Sequence, residues 1–153
     1  MQMTLVEFEC RAHRFALPLH SVRRVLHSAQ PTRLPGAPDI VLGILNVAGE
    51  VITVVDFFKR VGLPLSGIRA FQRLLVIEVS GLALGLLVDR VHGVMRLDPS
   101  TLTRVPKEIG AADYIDAVVR LEDGLSIIVS PEKFFLEEEK LSLAAALDRK
   151  RHE

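Results

Sequence analysis

The chain has 153 residues, 49% of them hydrophobic and 25% charged, a length and composition typical of one folded domain and not of a disordered segment. Its 19 basic and 19 acidic residues cancel, which excludes a broad electrostatic field that would attract nucleic acid or an anionic membrane. The single cysteine, Cys10, excludes an internal disulfide and a four-cysteine zinc site, and it fits a reducing compartment.

The first predicted elements are two strands and an ambiguous segment. Residues 4–10 alternate apolar and polar side chains, and residues 15–19 form a short apolar run, so each is predicted to be a strand. In residues 21–26 two valines, Val22 and Val25, lie three positions apart. That spacing fits either one helical turn or an irregular strand, and periodicity leaves both open.

A loop, a hairpin and a short helix are predicted next. Residues 30–39 contain three prolines and a glycine, which predicts a loop. Two β-rich runs within residues 41–55 are joined across the sequence Ala-Gly-Glu at 48–50, a strong hairpin signal. Asp56 is placed to cap a short helix over residues 57–61 that ends at the following glycine.

The second half contains a similar series of β runs. Its predicted strands are residues 73–79, 82–88, 91–97, 115–121 and 125–130, with a loop around Pro99 and Pro106. The first two strands are hinged at Ser80–Gly81, and Asp123–Gly124 between the last two is a favoured hairpin turn. The second half is therefore also rich in hairpins.

Two helices are predicted near the end of the chain. Ser130 as N-cap and Pro131 at the first helical position open a helix towards Phe135. The charged segment 137–153 follows, and leucines at 136, 143 and 147 have helical spacing. We therefore expect a C-terminal helix that lies against the body of the protein.

The two halves of the chain resemble each other. Phe15 aligns with Leu84 at an offset of 69 positions (84 − 15), and Val25 then aligns with Val94. Each half reads as strand, strand, irregular turn, loop, hairpin and short helix. This similar order of elements predicts a duplication. Helices this small cannot cover a parallel sheet, so the duplicated halves are predicted to form two small antiparallel barrels.

No pattern of catalytic or metal-binding residues is found. The five histidines include no pair at helical ligand spacing with a glutamate, and no cysteine cluster could hold zinc. Neither G-x-G-x-x-G nor G-x-x-x-x-G-K-[ST] occurs, and no G-x-S-x-G elbow is present. The sequence therefore predicts no enzymatic activity, no metal site and no cofactor. The aspartates Asp56, Asp89, Asp116 and Asp123 lie at strand ends or turns, where capping is the expected role.

Nucleic-acid and membrane partners are not expected. The basic clusters are small, and one tyrosine with no tryptophan offers few stacking platforms. The most apolar stretch, Val79 to Val88, is far shorter than the roughly 20 residues that cross a bilayer. The first residues have no long apolar core and reach an acidic residue at Glu7, so no signal peptide is predicted. We expect a cytoplasmic protein that is not membrane-inserted.

Taken in order, several landmarks resemble the CheW-like chemotaxis adaptor (coupling protein) family of bacterial chemosensory systems. They are the turn at Val22 and Val25, the loop Leu34-Pro35-Gly36-Ala37-Pro38, the segments 41–49, 51–56 and 85–91, and the closing hairpin 121–129. The resemblance spans about residues 4–136, so it depends on an ordered series and not on one motif.

The resemblance implies a mainly β fold. The expected fold is a single CheW-like domain over residues 1–153, with two five-stranded Src-homology-three-like β-barrel subdomains packed side by side, short helices and a C-terminal helix. Residues 16–66, with part of the N- or C-terminal strands, are expected to form the first barrel. Residues 70–136 are expected to form the second barrel, and residues 137–153 the charged helix or tail.

The resemblance also implies a function. It predicts a non-catalytic adaptor that links the cytoplasmic tip of a methyl-accepting chemoreceptor to the regulatory domain of a CheA-type histidine kinase, recruited to membrane receptor arrays. Receptors are expected in the groove between the barrels and the kinase on exposed barrel ends. Two alternatives stay open: a structural or oligomerisation module that does not bind the kinase, and a small all-β enzyme.

Carried over position by position, the resemblance assigns a set of candidate partner-binding residues. They are Val22, Arg24, Val25, Gly43, Asn46, Ala48, Gly49, Asp56, Leu74, Asp89 and Val94. Two positions depart from the family pattern, which typically has a glutamate where this chain has Arg24 and an arginine where it has Ala48. Because both charges change together, no buried charge loses its partner, and we expect the fold to survive with an altered or restricted set of partners.

Overall fold

Two β-sheets make up most of the molecule. The computed structural model describes residues 2–104 and 113–151. Its strands are β1 Met3–Cys10, β2 His13–Pro18, β3 Val22–His27, β4 Val41–Val47, β5 Glu50–Val55, β6 Arg73–Val79, β7 Leu82–Val88, β8 Arg90–Leu97, β9 Leu102–Arg104, β10 Ile115–Leu121 and β11 Gly124–Val129. Its helices are α1 Phe57–Arg60 and α2 Glu137–Arg151, and short 3-10 turns cover Leu19–Ser21 and Pro99–Thr101.

The strands are divided between a five-stranded and a six-stranded sheet. The five-stranded sheet, called here the first sheet, has the order β3-β6-β7-β5-β4. The second sheet has the order β8-β1-β2-β11-β10-β9. The predicted mainly β fold with two units is therefore confirmed. The second sheet has one strand more than expected, because β9 pairs with β10 where a loop was predicted.

Each half of the chain contributes a hairpin to the other half's sheet. The β1–β2 hairpin joins the second sheet, where β1 is antiparallel to β8 and β2 is parallel to β11. The β6–β7 hairpin joins the first sheet in the same way, beside β3 and β5. Residues 66–70, where the two barrels were expected to separate, therefore do not divide the sheets. The cause is the short links, Leu19–Ser21 after β2 and Asp89 after β7, which carry the chain directly from one sheet into the other.

The duplication is visible at matched positions of the two hairpins. Phe15 pairs with β1, and Leu84, 69 positions later, pairs with β6 at the equivalent place. The turns at 11–12 and 80–81 both have left-handed backbone. Side chains other than glycine rarely adopt this conformation, so its recurrence at the same offset supports a true repeat.

The hydrophobic core lies between the sheets. Buried side chains from both sheets belong to one cluster, which includes Val6, Phe8, Phe15 and Leu17 from the second sheet and Leu75, Ile77, Leu84 and Leu86 from the first. Phe57 of α1 packs edge-on against Phe8, with ring centroids 5.2 Å apart. Burial of such large side chains contributes roughly 1.5–3 kcal/mol each, so the shared core fixes the two sheets against each other.

The segment after β11 differs from its prediction. Residues 131–135 form turns and not the helix expected after Ser130. The amides of Lys133 and Phe134 both donate to the Ser130 carbonyl, and the chain then buries Phe134 and Phe135 almost completely. A regular helix would point neighbouring side chains in different directions, so the turn is what allows two adjacent phenylalanines to reach the core.

The predicted C-terminal helix is present as α2 and packs on the body. Leu143 and Ala146 are buried in the main core cluster, while Leu141 is 71% exposed. At the first turn of α2, Glu139 forms a part-buried ion pair with Arg60 of α1. Within the described residues, no helix is long and apolar enough to span a bilayer.

Candidate partner-binding surfaces

A groove of about 330 Å³ lies between the two sheets. The first sheet supplies Val25 of β3 and Arg73 of β6, and the second supplies residues 90–92 of β8. Phe71, just before β6, lines the groove and is 61% exposed. A large exposed aromatic side chain beside apolar neighbours is typical of a protein-binding surface. We call this feature the inter-sheet groove.

Asp89 fixes one wall of the inter-sheet groove. It is the single residue between β7 and β8, and its carboxylate accepts the backbone N–H of Arg11 at 2.7 Å. The same carboxylate accepts Nε2 of the buried Gln72 at 2.9 Å. Gln72 in turn accepts the backbone N–H of Arg69 at 2.7 Å. Asp89 therefore ties the β1–β2 turn to the segment that carries Phe71, because hydrogen bonds to a charged acceptor are strong.

Two arginine side chains, Arg73 and Arg90, give the groove a basic character. Arg73 donates to the backbone carbonyl of Phe71 at 2.9 Å, which holds its guanidinium beside the apolar wall. His92 lies 2.9 Å from the carboxylate of Glu9. Arg90 is exposed at the groove and makes no ion pair with any residue in the described ranges. The groove can therefore receive a partner that combines apolar side chains with carboxylates.

The strands that border the groove are equivalent sheet edges. β3 ends the first sheet and β8 ends the second, and neither has a further strand beside it among residues 2–104 and 113–151. Val25 on β3 is 44% exposed, and Val94, its counterpart in the repeat, is 58% exposed. Val22 is half-buried on β3. Unpaired edges of this kind can add a partner strand through backbone hydrogen bonds.

Three further candidate residues lie together at the β4–β5 turn. The Asn46 side chain accepts the backbone N–H of Gly49 at 2.9 Å. Ala48 and Gly49 both have left-handed backbone, with φ of 51° and 88°. This conformation at both central residues is the type I′ hairpin turn, so Asn46 and Gly49 determine the shape of an exposed hairpin tip.

Two arginines of β3 share one carboxylate at this hairpin. Arg23 Nη1 is 2.8 Å from Glu50 Oε2, and Arg24 Nη2 is 2.9 Å from Glu50 Oε1. The hydrogen bond to Glu50 also raises the pKa of Arg23. The family pattern has an acidic residue at position 24 and a basic residue on the β4–β5 hairpin. In this chain the two charges are exchanged. Position 24 thus carries the cation here, and Glu50 supplies the anion.

Three other candidate residues, Gly43, Asp56 and Leu74, each have a role in the fold. Gly43 has φ of 152°, and a Cβ there would approach the Thr32 carbonyl and lie 2.9 Å from Pro31 Cβ. Asp56 caps α1 by accepting the Lys59 backbone N–H at 2.9 Å. Leu74 is 1% exposed and belongs to the core. Whether these three also influence partner binding stays a prediction.

The sequence analysis did not single out seven of the residues that these surfaces contain as partner-binding. They are Arg23, Glu50, Phe71, Arg73, Arg90, Val91 and His92. Phe71 could have been noticed as an aromatic side chain in a polar loop. Glu50 could have been noticed as the nearest carboxylate to the altered position 48. Val91 and His92 have no individual signal, since they follow the alternation of an ordinary strand.

Among the described residues, neither a metal-binding cluster nor a reactive thiol is found. Residues 2–104 and 113–151 contain no group of three or more histidine, cysteine or acidic side chains that could hold a metal ion. Burial raises the pKa of Cys10 to about 12, and a thiol in that state is a poor nucleophile.

Comparison with known proteins gives a consistent result. A family model described as the CheW-like domain matches residues 4–139. Protein PilI of Pseudomonas aeruginosa is 31% identical over 119 residues, which cover 76% of this chain and 67% of that protein. Chemotaxis protein CheW of Rhizobium meliloti is 25% identical over 138 residues, with 89% of each protein covered.

The fold is also similar to a solved structure. The crystal structure of the scaffolding protein TtCheW from Thermoanaerobacter tengcongensis matches with a TM-score of 0.79 and 25% sequence identity. The match covers 91% of this chain and 96% of that one. The similarity therefore extends over both sheets.

Proposed function

The chain belongs to the CheW-like domain family and is a non-catalytic scaffold adaptor, and we propose that it links the cytoplasmic tip of a methyl-accepting chemoreceptor to the regulatory domain of a CheA-type histidine kinase. Members of this family couple receptors to that kinase in general. The protein acts in the cytoplasm, at membrane receptor arrays.

The receptor tip binds in the inter-sheet groove. The observation that carries this assignment is an exposed apolar surface, Val25 and Phe71, on walls that Asp89 holds in place. A fixed surface loses little conformational entropy when it binds, so a small contact area can still be specific. The exposed Arg90 and the half-buried Arg73 favour a partner segment that carries carboxylates next to its apolar side chains.

The kinase regulatory domain binds at the end of the first sheet. The β4–β5 turn projects an ordered hairpin tip, and Arg23, Arg24 and Glu50 lie beside it. Because the ion pair has the opposite polarity to the family pattern, a kinase that matches the usual charges meets like charges here. The set of partners is therefore altered, since like charges across an interface act against the wrong partner.

Each individual contact is expected to be weak. Transient signalling interfaces are often small, and a micromolar dissociation constant corresponds to about −8 kcal/mol. In an array, many copies are held close together, so multivalency supplies the remaining stability.

A titration with both partners tests the groove assignment. The full chain is titrated with a receptor-tip fragment and, separately, with a kinase regulatory domain from the same organism. Both affinities are measured by isothermal titration calorimetry. Val25→Asp is expected to weaken receptor binding about tenfold or more and to leave kinase binding unchanged. It removes apolar contact area and adds a carboxylate that competes with the partner's carboxylates for the groove arginines. Leu141→Ser on the exposed face of α2 is the matched control and should change neither affinity.

Two results would count against the assignment. Unchanged receptor affinity in Val25→Asp would show that the groove is not the receptor site. Self-association in light scattering, with no binding to either partner, would favour a structural or oligomerisation module instead.

The altered polarity has its own test. The double variant Arg24→Glu, Ala48→Arg restores the charges of the family pattern at both positions. We expect it to gain affinity for a kinase regulatory domain that carries the usual charges, because the attractive pairing is then available. Equal affinity of the parent and the double variant for that domain would show that these charges do not select the partner.

A further inference from the structure

We propose that α2 and the first sheet form a second docking cleft, which binds a protein segment that places an apolar side chain next to a carboxylate. This goes beyond the proposed function, because the wall of the cleft is built by the last turn of α2. The family model matches residues 4–139, whereas α2 continues to Arg151. We call this feature the helix-side cleft.

The helix-side cleft has a volume of about 350 Å³ and is built by four parts of the chain. Strand β3, the β4–β5 hairpin and the β6–β7 hairpin supply its base, and α2 supplies one side. Its apolar lining is formed by Ile44, Val51, Leu82, Ala83 and Leu147. This volume is at the lower end of the usual range for ligand pockets, so it fits one or two side chains of a partner and not a large ligand.

The apolar lining is accessible. Val51 is 48% exposed, and Ile44, Leu82 and Leu147 are each half-buried. Apolar area left open beside a buried core gains free energy when a partner covers it. The lining therefore selects an apolar side chain.

The rim of the cleft carries more positive than negative charge. Arg23, Lys150 and Arg151 line it together with two carboxylates, Glu50 and Glu78. Glu50 is already shared between two guanidinium groups of β3. Arg151 makes no ion pair with any residue that the structure describes. A carboxylate on the partner segment complements this excess of cations.

Helix α2 is held firmly enough to act as a wall. Its first turn is tied to α1 by the part-buried pair of Glu139 and Arg60. Its middle is anchored by Leu143 and Ala146 in the core. Near its end, the exposed guanidinium of Arg149 lies close to Gly36. Because the first turn and the middle of α2 are fixed, the cleft is preformed and loses little entropy on binding.

The helix-side cleft is separate from the inter-sheet groove. The two cavities have no lining residue in common. A variant in one is therefore expected to leave binding in the other unchanged. Arg23 and Glu50 line the helix-side cleft and also belong to the proposed kinase surface, so the test uses Arg151, which lies outside that surface. Normal binding of the kinase regulatory domain by Arg151→Glu keeps this inference distinguishable from the proposed function.

Two short peptides test the inference on the full chain. The probe is an acetylated, fluorescein-labelled hexapeptide of alternating leucine and glutamate, and its counterpart has lysine in place of glutamate. Binding is followed by fluorescence anisotropy and by amide chemical shifts of the isotope-labelled protein. The leucine–glutamate peptide should bind and shift the amides of Val51, Leu82 and Leu147. The lysine peptide should bind at least about fivefold more weakly.

Surface variants complete the test. Arg151→Glu should lower the affinity for the leucine–glutamate peptide about fivefold. Val51→Asp should abolish binding of this peptide. Leu141→Asp, on the outer face of α2, should leave the affinity unchanged. All three positions are exposed, so unchanged melting temperatures are expected and checked. Three results would overturn the proposal: no binding up to about 1 mM peptide, shifts confined to the inter-sheet groove, or equal binding of both peptides. Binding to phosphatidylglycerol vesicles in place of the peptide would also overturn it, since it would identify a lipid surface as the occupant.

Discussion

Two glycines of the β4–β5 hairpin show how differently similar residues can act. Gly43 and Gly49 both have positive φ, and the family resemblance assigned both to partner binding. Gly43 lies where the chain of residues 31–32 crosses close to its backbone, and Gly49 faces open space in the turn. The sequence could not predict which of the two glycines contacts another segment of the chain. Residues 31–32, which contact Gly43, belong to a loop, and the path of a loop has no periodic signal in the sequence.

A pair of substitutions separates these two roles. Gly43→Ala is expected to lower the free energy of unfolding by about 2–4 kcal/mol, because the new Cβ meets Pro31 and the Thr32 carbonyl and the positive φ adds strain. Gly49→Ala should cost only about 1 kcal/mol, from the left-handed backbone alone. Urea denaturation of both variants measures the difference. Equal losses would show that the close approach at Gly43 does not constrain the fold.

The buried thiol of Cys10 makes stability depend on alkaline pH. Its pKa is raised by burial from 9.0 to about 12, so the unfolded chain loses the proton first. The contribution of the protonated Cys10 thiol to the free energy of unfolding is therefore complete below about pH 9. It is lost as the pH rises towards 12, and the total loss at that upper limit is about 4 kcal/mol. Urea denaturation at pH 8, 9.5 and 10.5 should show a steeper decline for the parent chain than for Cys10→Ala, which lacks the thiol. Parallel declines would contradict this, as would iodoacetamide labelling of Cys10 in the native state.

At the scale of the element, the hairpins were the most predictable part. The β-rich apolar runs and the short Gly-containing turns between them located the strands β4–β5, β6–β7 and β10–β11 within a residue or two. Strand β9 and the turns after Ser130 were not predictable in this way. β9 has only three residues, too few for periodicity, and the segment after Ser130 is shaped by the burial of Phe134 and Phe135, which overrides a good helix start.

The tie between α1 and α2 can be measured with a double-mutant cycle. Arg60→Met should lower the free energy of unfolding by about 2–3 kcal/mol, since it leaves the carboxylate of Glu139 without its partner in a site where both side chains are less than a fifth exposed. The double variant Arg60→Met, Glu139→Leu should lose less than the sum of the single variants, because neither charge then remains unpaired.

A surface pair of α2 is the matched control for this cycle. Lys140 and Glu137 form an ion pair in which Glu137 is 85% exposed. Glu137→Ala should change stability by about 0.5 kcal/mol or less. A cycle in which the Arg60 and Glu139 losses simply add would show that α2 is not held by this pair.

At the scale of the whole molecule, the exchange of hairpins is the feature that sequence could not supply. The repeat identified which residues form strands and showed that the halves are alike. Because the halves are alike, a hairpin has the same apolar pattern whether it completes its own sheet or the other one, and periodicity cannot distinguish the two. The inter-sheet groove was expected from the resemblance, but its wall residues Phe71 and His92 depend on which strands become neighbours.

The exchange predicts that neither half is an independent folding unit. Separate fragments 1–66 and 70–153 should be unfolded as monomers, since each lacks the hairpin that completes its sheet. Mixing the two in equal amounts should restore a folded complex with the spectrum of the intact chain. Circular dichroism and amide NMR spectra measure this. A dispersed spectrum from either fragment as a monomer would contradict the prediction.

The same exchange sets an order for assembly during synthesis. The β1–β2 hairpin is made before the other strands, yet its neighbour β8 follows only at residues 90–97 and its neighbour β11 only at residues 124–129. Its apolar residues are therefore fully covered only after β11 has been made. The first sheet, by contrast, can close once Val88 has emerged. Newly made chains therefore expose the apolar side chains of the β1–β2 hairpin until β11 has been made. Chaperones should bind newly made chains at this hairpin.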